Sequence, residues 1–310
     1  MTVRENLTTF MGREVIDWEE DAKPRDPKKF VYRFRVSYDD GEEKMTELLA
    51  SFIQNPAAAK VEAMVIGAWG EVASGDSSQP IVEALAAARD RLTNLKYLFF
   101  GDIIAEESEI SWINQTDLSP LLEAYPKLEH LTIRGGMGLS LGTPRHEKLR
   151  ELTIQSGGLP ASVIHEIASG ELPALNHLEL WLGEPNYGGD ATVDDLAQIF
   201  KGDRFPKLKY LGLRNSEIAD DIAAAISLAP ILPRLEVLDL SLGTLGDEGA
   251  KALAASAAIK KLKLLDIHHH FVSPEGVKAL EGLGIEVDAE DKQEEHEWRG
   301  ERSRFISIAE

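Results

Sequence analysis

The sequence predicts an α/β solenoid, with a parallel sheet on one face and helices on the other. Two observations lead there. An apolar six-residue pattern recurs along most of the chain, and the stretches after most of its copies carry apolar residues at helical spacing. A third narrows the chemistry: there are no cysteines, and 53 acids outnumber 33 bases for a net charge of −20.

The pattern is Leu-x-x-Leu-x-Leu, with Ile, Val, Met or Phe allowed. It starts at Val61, Leu95, Leu128, Leu149, Leu175, Leu208, Leu235 and Leu262, at intervals of 34, 33, 21, 26, 33, 27 and 27 residues. The clearest copies are Leu208-Lys209-Tyr210-Leu211-Gly212-Leu213, Leu235-Glu236-Val237-Leu238-Asp239-Leu240 and Leu262-Lys263-Leu264-Leu265-Asp266-Ile267. The closing Leu-x-Leu alternates with period two, as a strand buried on one face does. Segments such as 81–89, 193–200, 222–226 and 248–254 return as helices, and Ser273-Pro274-Glu275 sets a capping hydroxyl before proline at a helix start. No unit can bury its apolar face alone, so the units stack side by side into a curved horseshoe.

These residues resemble the leucine-rich-repeat family over residues 61–287, about eight repeats, with Ile285 and Val287 ending the array as a last strand. The resemblance implies a concave parallel sheet and convex helices. The chain departs from the family at the turn. The usual Asn or Cys is replaced by Trp69, Ile103, Gly136, Gly157, Gly183, Ser216, Gly243 and His270, which implies looser turns. The unit from Leu128 to Leu149 is too short for a helix, and Arg134 to Gly142 must cross as irregular loop.

Residues 1–60 read as an N-terminal cap. Val15–Trp18 and Phe30–Val36 are expected as strands, and Glu43–Ile53 as an amphipathic helix. Residues 288–310 read as a solvated acidic linker followed by a short strand at Arg304–Ile308. The Val15-Ile16-Asp17-Trp18 opening, Met64-Val65-Ile66-Gly67-Ala68-Trp69 and the Arg304-Phe305-Ile306-Ser307-Ile308 ending are similar to a family of small cytoplasmic bacterial leucine-rich-repeat proteins of undefined role. Their genes neighbour radical-SAM and ATP-grasp enzymes, and the resemblance implies a scaffold.

With the strand register set, positions three, five and seven of each unit point onto the concave face. The third column is Ala63, Tyr97, His130, Glu151, His177, Tyr210, Val237 and Leu264. The fifth is Val65, Phe99, Thr132, Thr153, Glu179, Gly212, Asp239 and Asp266; the seventh is Gly67, Gly101, Arg134, Gln155, Trp181, Arg214, Ser241 and His268. His130, Arg134, His177, Glu179, Trp181, Tyr210 and Arg214 cluster in the middle, and aromatic residues with arginine dominate protein-interface hot spots. The expectation is a protein-binding scaffold or adaptor, not an enzyme. An inhibitor of a basic enzyme, in the manner of ribonuclease inhibitor, is the alternative, and a metal- or phosphate-binding accessory protein stands behind both.

Other chemistry is disfavoured. An acidic surface repels nucleic acid and anionic membranes. The absence of cysteine excludes thiolate metal sites and cysteine nucleophiles, and with no export signal at the start it places the expected compartment in the cytoplasm. The Gly135–Gly142 run lacks the Gly-Lys-Ser/Thr ending of a phosphate loop. No His-Glu-x-x-His motif occurs, carboxylates are too numerous for one pair to stand out as an acid and a base, and no cofactor is expected. His268-His269-His270 beside Asp266 and Asp239 resembles a metal cluster, but strand alternation sends His268 and His269 to opposite faces. The expectation is that no metal binds, with His270 serving the turn instead.

Overall fold

The structure is a computed structural model that describes residues 3–20, 22–72 and 75–309; the ends of the expected cap and C-terminal segments at Met1, Thr2 and Glu310 lie outside the described residues. The chain divides into two compact units. One is built mainly from residues up to Gln155 together with Ser169–Leu172, the other from Ser156–Ala168 and Pro173–Ala309.

In the N-terminal unit, β1 (Thr9–Phe10) turns back antiparallel onto β2 (Arg13–Asp17). Every later pairing in this unit is parallel. β2 lies beside β3 (Phe30–Val36), and after α1 (Gly41–Ile53) the ladder continues through β4 (Ala63–Trp69). α2 (Gln79–Ala87) leads to β5 (Tyr97–Phe100), α3 (Ser119–Ala124) to β6 (His130–Arg134), and β7 (Glu151–Gln155) follows with no helix between. The β3-α1 segment therefore has the strand-helix form of a repeat although its sequence lacks the full pattern. α1 sets Met45, Leu48, Leu49 and Phe52 into the core, where Phe52 meets Trp18, Tyr32 and Phe34.

The helix-less unit is an irregular loop, as its length required. His146 replaces the missing turn of helix: its Nδ1 accepts from the Lys148 and Leu149 amides, and its Nε2 lies 3.0 Å from the Tyr125 carbonyl. Burial lowers its pKa, which keeps the ring neutral so that Nδ1 can accept.

The C-terminal unit starts with α4 (Ala161–Ser169). Parallel strands β8 (His177–Gly183), β9 (Tyr210–Ser216), β10 (Val237–Asp239), β11 (Leu264–Asp266) and β12 (Glu286–Asp288) then pair in chain order. α5 (Ala197–Lys201), α6 (Ala219–Ile226), α7 (Asp247–Ala255) and α8 (Pro274–Glu281) are their crossovers. Leu178, Leu211, Leu238 and Leu265 here, and Leu131 and Leu152 in the N-terminal unit, are all fully buried, as the alternation required. Ser273 caps α8 by accepting the Gly276 amide, with Pro274 behind it.

Two turns replace the family's asparagine by other means. His270 is buried in its turn, where its Nδ1 accepts the Val272 amide and its Nε2 lies 3.0 Å from the Ala289 carbonyl. Ser216 Oγ accepts the Ile218 amide.

The expectation for residues 288–310 needs correction. The acidic stretch is not a plain linker, because β13 (His296–Trp298) and β14 (Glu301–Ser303) form an antiparallel hairpin. Arg299 and Gly300 both take positive φ, the conformation of a tight hairpin turn. Nor is Arg304–Ile308 a strand. Its backbone groups go to single partners instead of a ladder: the Ser307 amide to the Leu242 carbonyl, and the Ile308 amide and carbonyl to the side chain of buried Asn215. Arg304 ties the segment down through Asp220 and Glu295.

Candidate functional site

Strand register brings five of the seven singled-out residues together in the C-terminal unit. His177 pairs with Tyr210, Glu179 with Gly212 and Trp181 with Arg214 across β8 and β9, and Gly212 pairs with Asp239 across β9 and β10. Because Gly212 has no side chain, Glu179 and Asp239 face each other across its gap. A Cβ there would come within 3.1 Å of Glu179 and 3.0 Å of the Tyr210 ring.

Arg214 and Tyr210 fill that gap. Arg214 Nη1 donates to Glu179 Oε1 at 3.1 Å, and its Nε donates to Ser241 Oγ at 2.8 Å while lying 3.3 Å from Asp239 Oδ2. The Tyr210 hydroxyl donates to Asp239 and lies 3.3 Å from Glu179 Oε2. Trp181 Nε1 donates to Glu179 Oε1 at 2.7 Å, under the Arg214 guanidinium 5.4 Å from its ring. His177 stacks on Tyr210 with ring centres 3.8 Å apart and planes within 6°, and its Nε2 lies 3.5 Å from Glu179 Oε2.

The electrostatics follow from this arrangement. Burial opposes ionisation of Glu179, but the hydrogen bond from His177 and the charge of Arg214 outweigh it, holding the carboxyl at about 2. Burial raises Asp239, with Asp266 adding to the rise and Arg214 opposing it. Tyr210 is pushed far up by burial and by the two carboxylates, so its hydroxyl remains a donor. Glu179 and Tyr210 thus each hold one protonation state across the physiological range. They make a fixed surface of donors and rings, not a proton relay.

Exposure corrects one expectation. Trp181 retains only 7% of its surface and Glu179 8%, so neither offers area to a partner. The half-buried members, whose edges reach solvent, are His177, Tyr210 and Arg214. Trp181 serves as the floor of the patch.

His130 and Arg134 belong to the N-terminal unit and to other networks. Arg134 is 5% exposed, with its guanidinium donating to Gln155 and the Ile103 carbonyl and lying 5.1 Å from the Phe99 ring. It sits 3.6 Å from fully buried Asp102, whose other partners are Arg33 and the Leu7 amide. His130 lies 2.9 Å from Glu151 and edge-on to Phe10. Phe10 covers Ala63, Val65 and Phe99, which are buried together on the face expected to be open. The apolar character of those three positions was the signal that something covers them.

Residues 233–254 match the family model for the leucine-rich repeat. A protein of solved structure from Bacteroides fragilis is 37% identical over 84% of this chain and 74% of its own, and superposes with a TM-score of 0.78. A leucine-rich-repeat protein from Leptospira interrogans is 14% identical over 81% of this chain and 53% of its own; at a TM-score of 0.34 that superposition is too loose to bear on the fold. No curated protein matches the sequence. Among the described residues, no helix is long and apolar enough to cross a membrane.

Proposed function

The chain belongs to the leucine-rich-repeat proteins, and from that premise we propose that it is a non-enzymatic scaffold whose C-terminal unit binds a protein partner on the sheet face around His177, Tyr210 and Arg214. The observation that carries this reading is the stacked His177–Tyr210 pair, held by buried carboxylates and left with its edges exposed. Rings and a guanidinium that are already immobilised lose little conformational entropy on binding, which is the economy of a hot spot. The surrounding deep network of Glu179, Asp239 and Trp181 supplies the rigidity. A net charge of −20 favours a partner with a basic surface.

Affinity capture from the native lysate, run in parallel with the wild-type chain and His177→Ala, tests the reading. A partner retained by the wild type and depleted with His177→Ala is the expected result. Partners captured equally by both would overturn the assignment of this patch.

A further inference from the structure

We propose that Asp266, His268 and Asp288 form a binding site for a divalent transition-metal ion of the borderline class represented by Zn2+. The three side chains lie outside the partner patch. Each offers a ligand atom, and those atoms all lie within 4.8 Å of one another.

The fold makes this convergence from three strand rules. β11 and β12 pair in parallel with Asp266 opposite Asp288, so the two carboxylates share a face on strands about 4.8 Å apart. His268 is two residues beyond Asp266, and period two returns it to that same face. The ladder continues past β11, with the Ile267 amide donating to the Asp288 carbonyl and the His268 carbonyl accepting from Leu242. His269 then takes a φ of +57° and turns its ring toward Asp291. The alternation that bars His268 and His269 from one ion thus holds, but the third ligand comes from β12 and not from the histidine run.

Charge supplies an independent argument. Two other groups of strand acids in this unit are matched by bases: Arg214 lies between Glu179 and Asp239, and Lys263 and Lys209 flank Glu236. Among the described residues, no lysine or arginine forms an ion pair with Asp266 or Asp288. Like charges directly opposite on neighbouring strands destabilise a sheet, and Asp239 extends the row on the other side of Asp266. A cation with two positive charges is what this row lacks.

The donor set selects the class. One imidazole nitrogen and two carboxylate oxygens suit Zn2+ and its neighbours, whereas Mg2+ and Ca2+ take oxygen alone. Zinc–ligand bonds of about 2.0–2.2 Å require the three groups to close in by side-chain rotation. The 2.7 Å contact between His268 Nδ1 and Asp266 Oδ1 is either exchanged for the metal or kept as the bond that orients the ring, with Nε2 as ligand. All three residues are half-buried, so water completes the coordination.

Chelator-treated full-length protein titrated calorimetrically with ZnCl2 and, separately, with MgCl2 tests the site. The expected result is one saturable equivalent of Zn2+ and no binding of Mg2+. Asp288→Asn, which keeps the shape and removes the charge, should weaken Zn2+ by at least roughly tenfold, given that even outer-shell partners of metal sites are worth about 10–100-fold. His165→Ala, on an exposed histidine of α4, should leave it unchanged. Absence of saturable Zn2+ binding, Mg2+ binding equal to Zn2+, or Zn2+ affinity untouched by both Asp288→Asn and His268→Ala would overturn the proposal.

Discussion

Glu179→Gln is the most informative single change in the protein, because its effect on stability has a size and a pH dependence that both follow from the carboxylate's surroundings. The native carboxyl is held at about 2, against 4.5 when unperturbed. At about 1.4 kcal/mol per pKa unit, that depression corresponds to about 3 kcal/mol of stability at pH 7. The sign is that of a lowered carboxyl: the contribution is complete above the unfolded value and drains away as pH falls from about 5 toward 2. At pH 3 about 1 kcal/mol remains. The substitution also leaves Arg214 with Asp239 as its one carboxylate in the network, and it replaces an acceptor of the Trp181 N–H with an amide that has a donor of its own. Urea melts of wild type and Glu179→Gln at pH 7, 5 and 3 should give a difference of about 2–4 kcal/mol at pH 7, within the range for breaking a buried ion pair, that narrows as the pH falls. A difference below about 1 kcal/mol at pH 7, or one of constant size at all three pH values, would refute the electrostatic account of the network.

Three other perturbations test separate parts of the structure. Leu238→Ala empties a fully buried repeat position and should cost about 2–5 kcal/mol in denaturant melts. Trp181→Ala removes the floor of the patch and should cost about 3–5 kcal/mol; a melting temperature equal to wild type would mean that the ring packs nowhere. Asn215→Ala deletes the side chain that holds both backbone groups of Ile308, and hydrogen–deuterium exchange should show the amides of Ser307 and Ile308 losing protection while those of β9 keep theirs. Unchanged exchange at Ile308 would place the anchorage of the C-terminal segment elsewhere, most directly on Arg304.

The repeat register was legible in the sequence because period-two alternation admits one solution when one face is buried. Ala63 does pair with Tyr97, His130 with Glu151, and Tyr210 with Val237, as the columns required. What escaped is what covers the sheet. Ala63, Val65 and Phe99 are buried in a cluster with Phe10, a residue from a two-residue strand with no periodicity to announce it, and with Leu7 and Val15 packed against them. Trp181 looked available because its column faces away from the helices, yet its burial arises from Glu179 and Arg214 closing over it, a cross-strand event that spacing along the chain does not encode. The C-terminal hairpin carried a readable turn signal in Arg299-Gly300, but the surrounding run of acids suggested a solvated linker more strongly. Nothing in the sequence around Asp288 marks it as a possible ligand, for a similar reason. Only the pairing of the last strand sets it opposite Asp266.

We place the recognition surface on the sheet face of the C-terminal unit and not on its helices. Its most direct test is the dissociation constant of a captured partner for three purified chains: wild type, His177→Ala and Lys251→Ala, the last on an exposed position of α7. His177→Ala is expected to weaken binding by roughly tenfold or more, about 1.4 kcal/mol, while Lys251→Ala leaves it unchanged. Binding that survives His177→Ala intact and is lost with Lys251→Ala would contradict it.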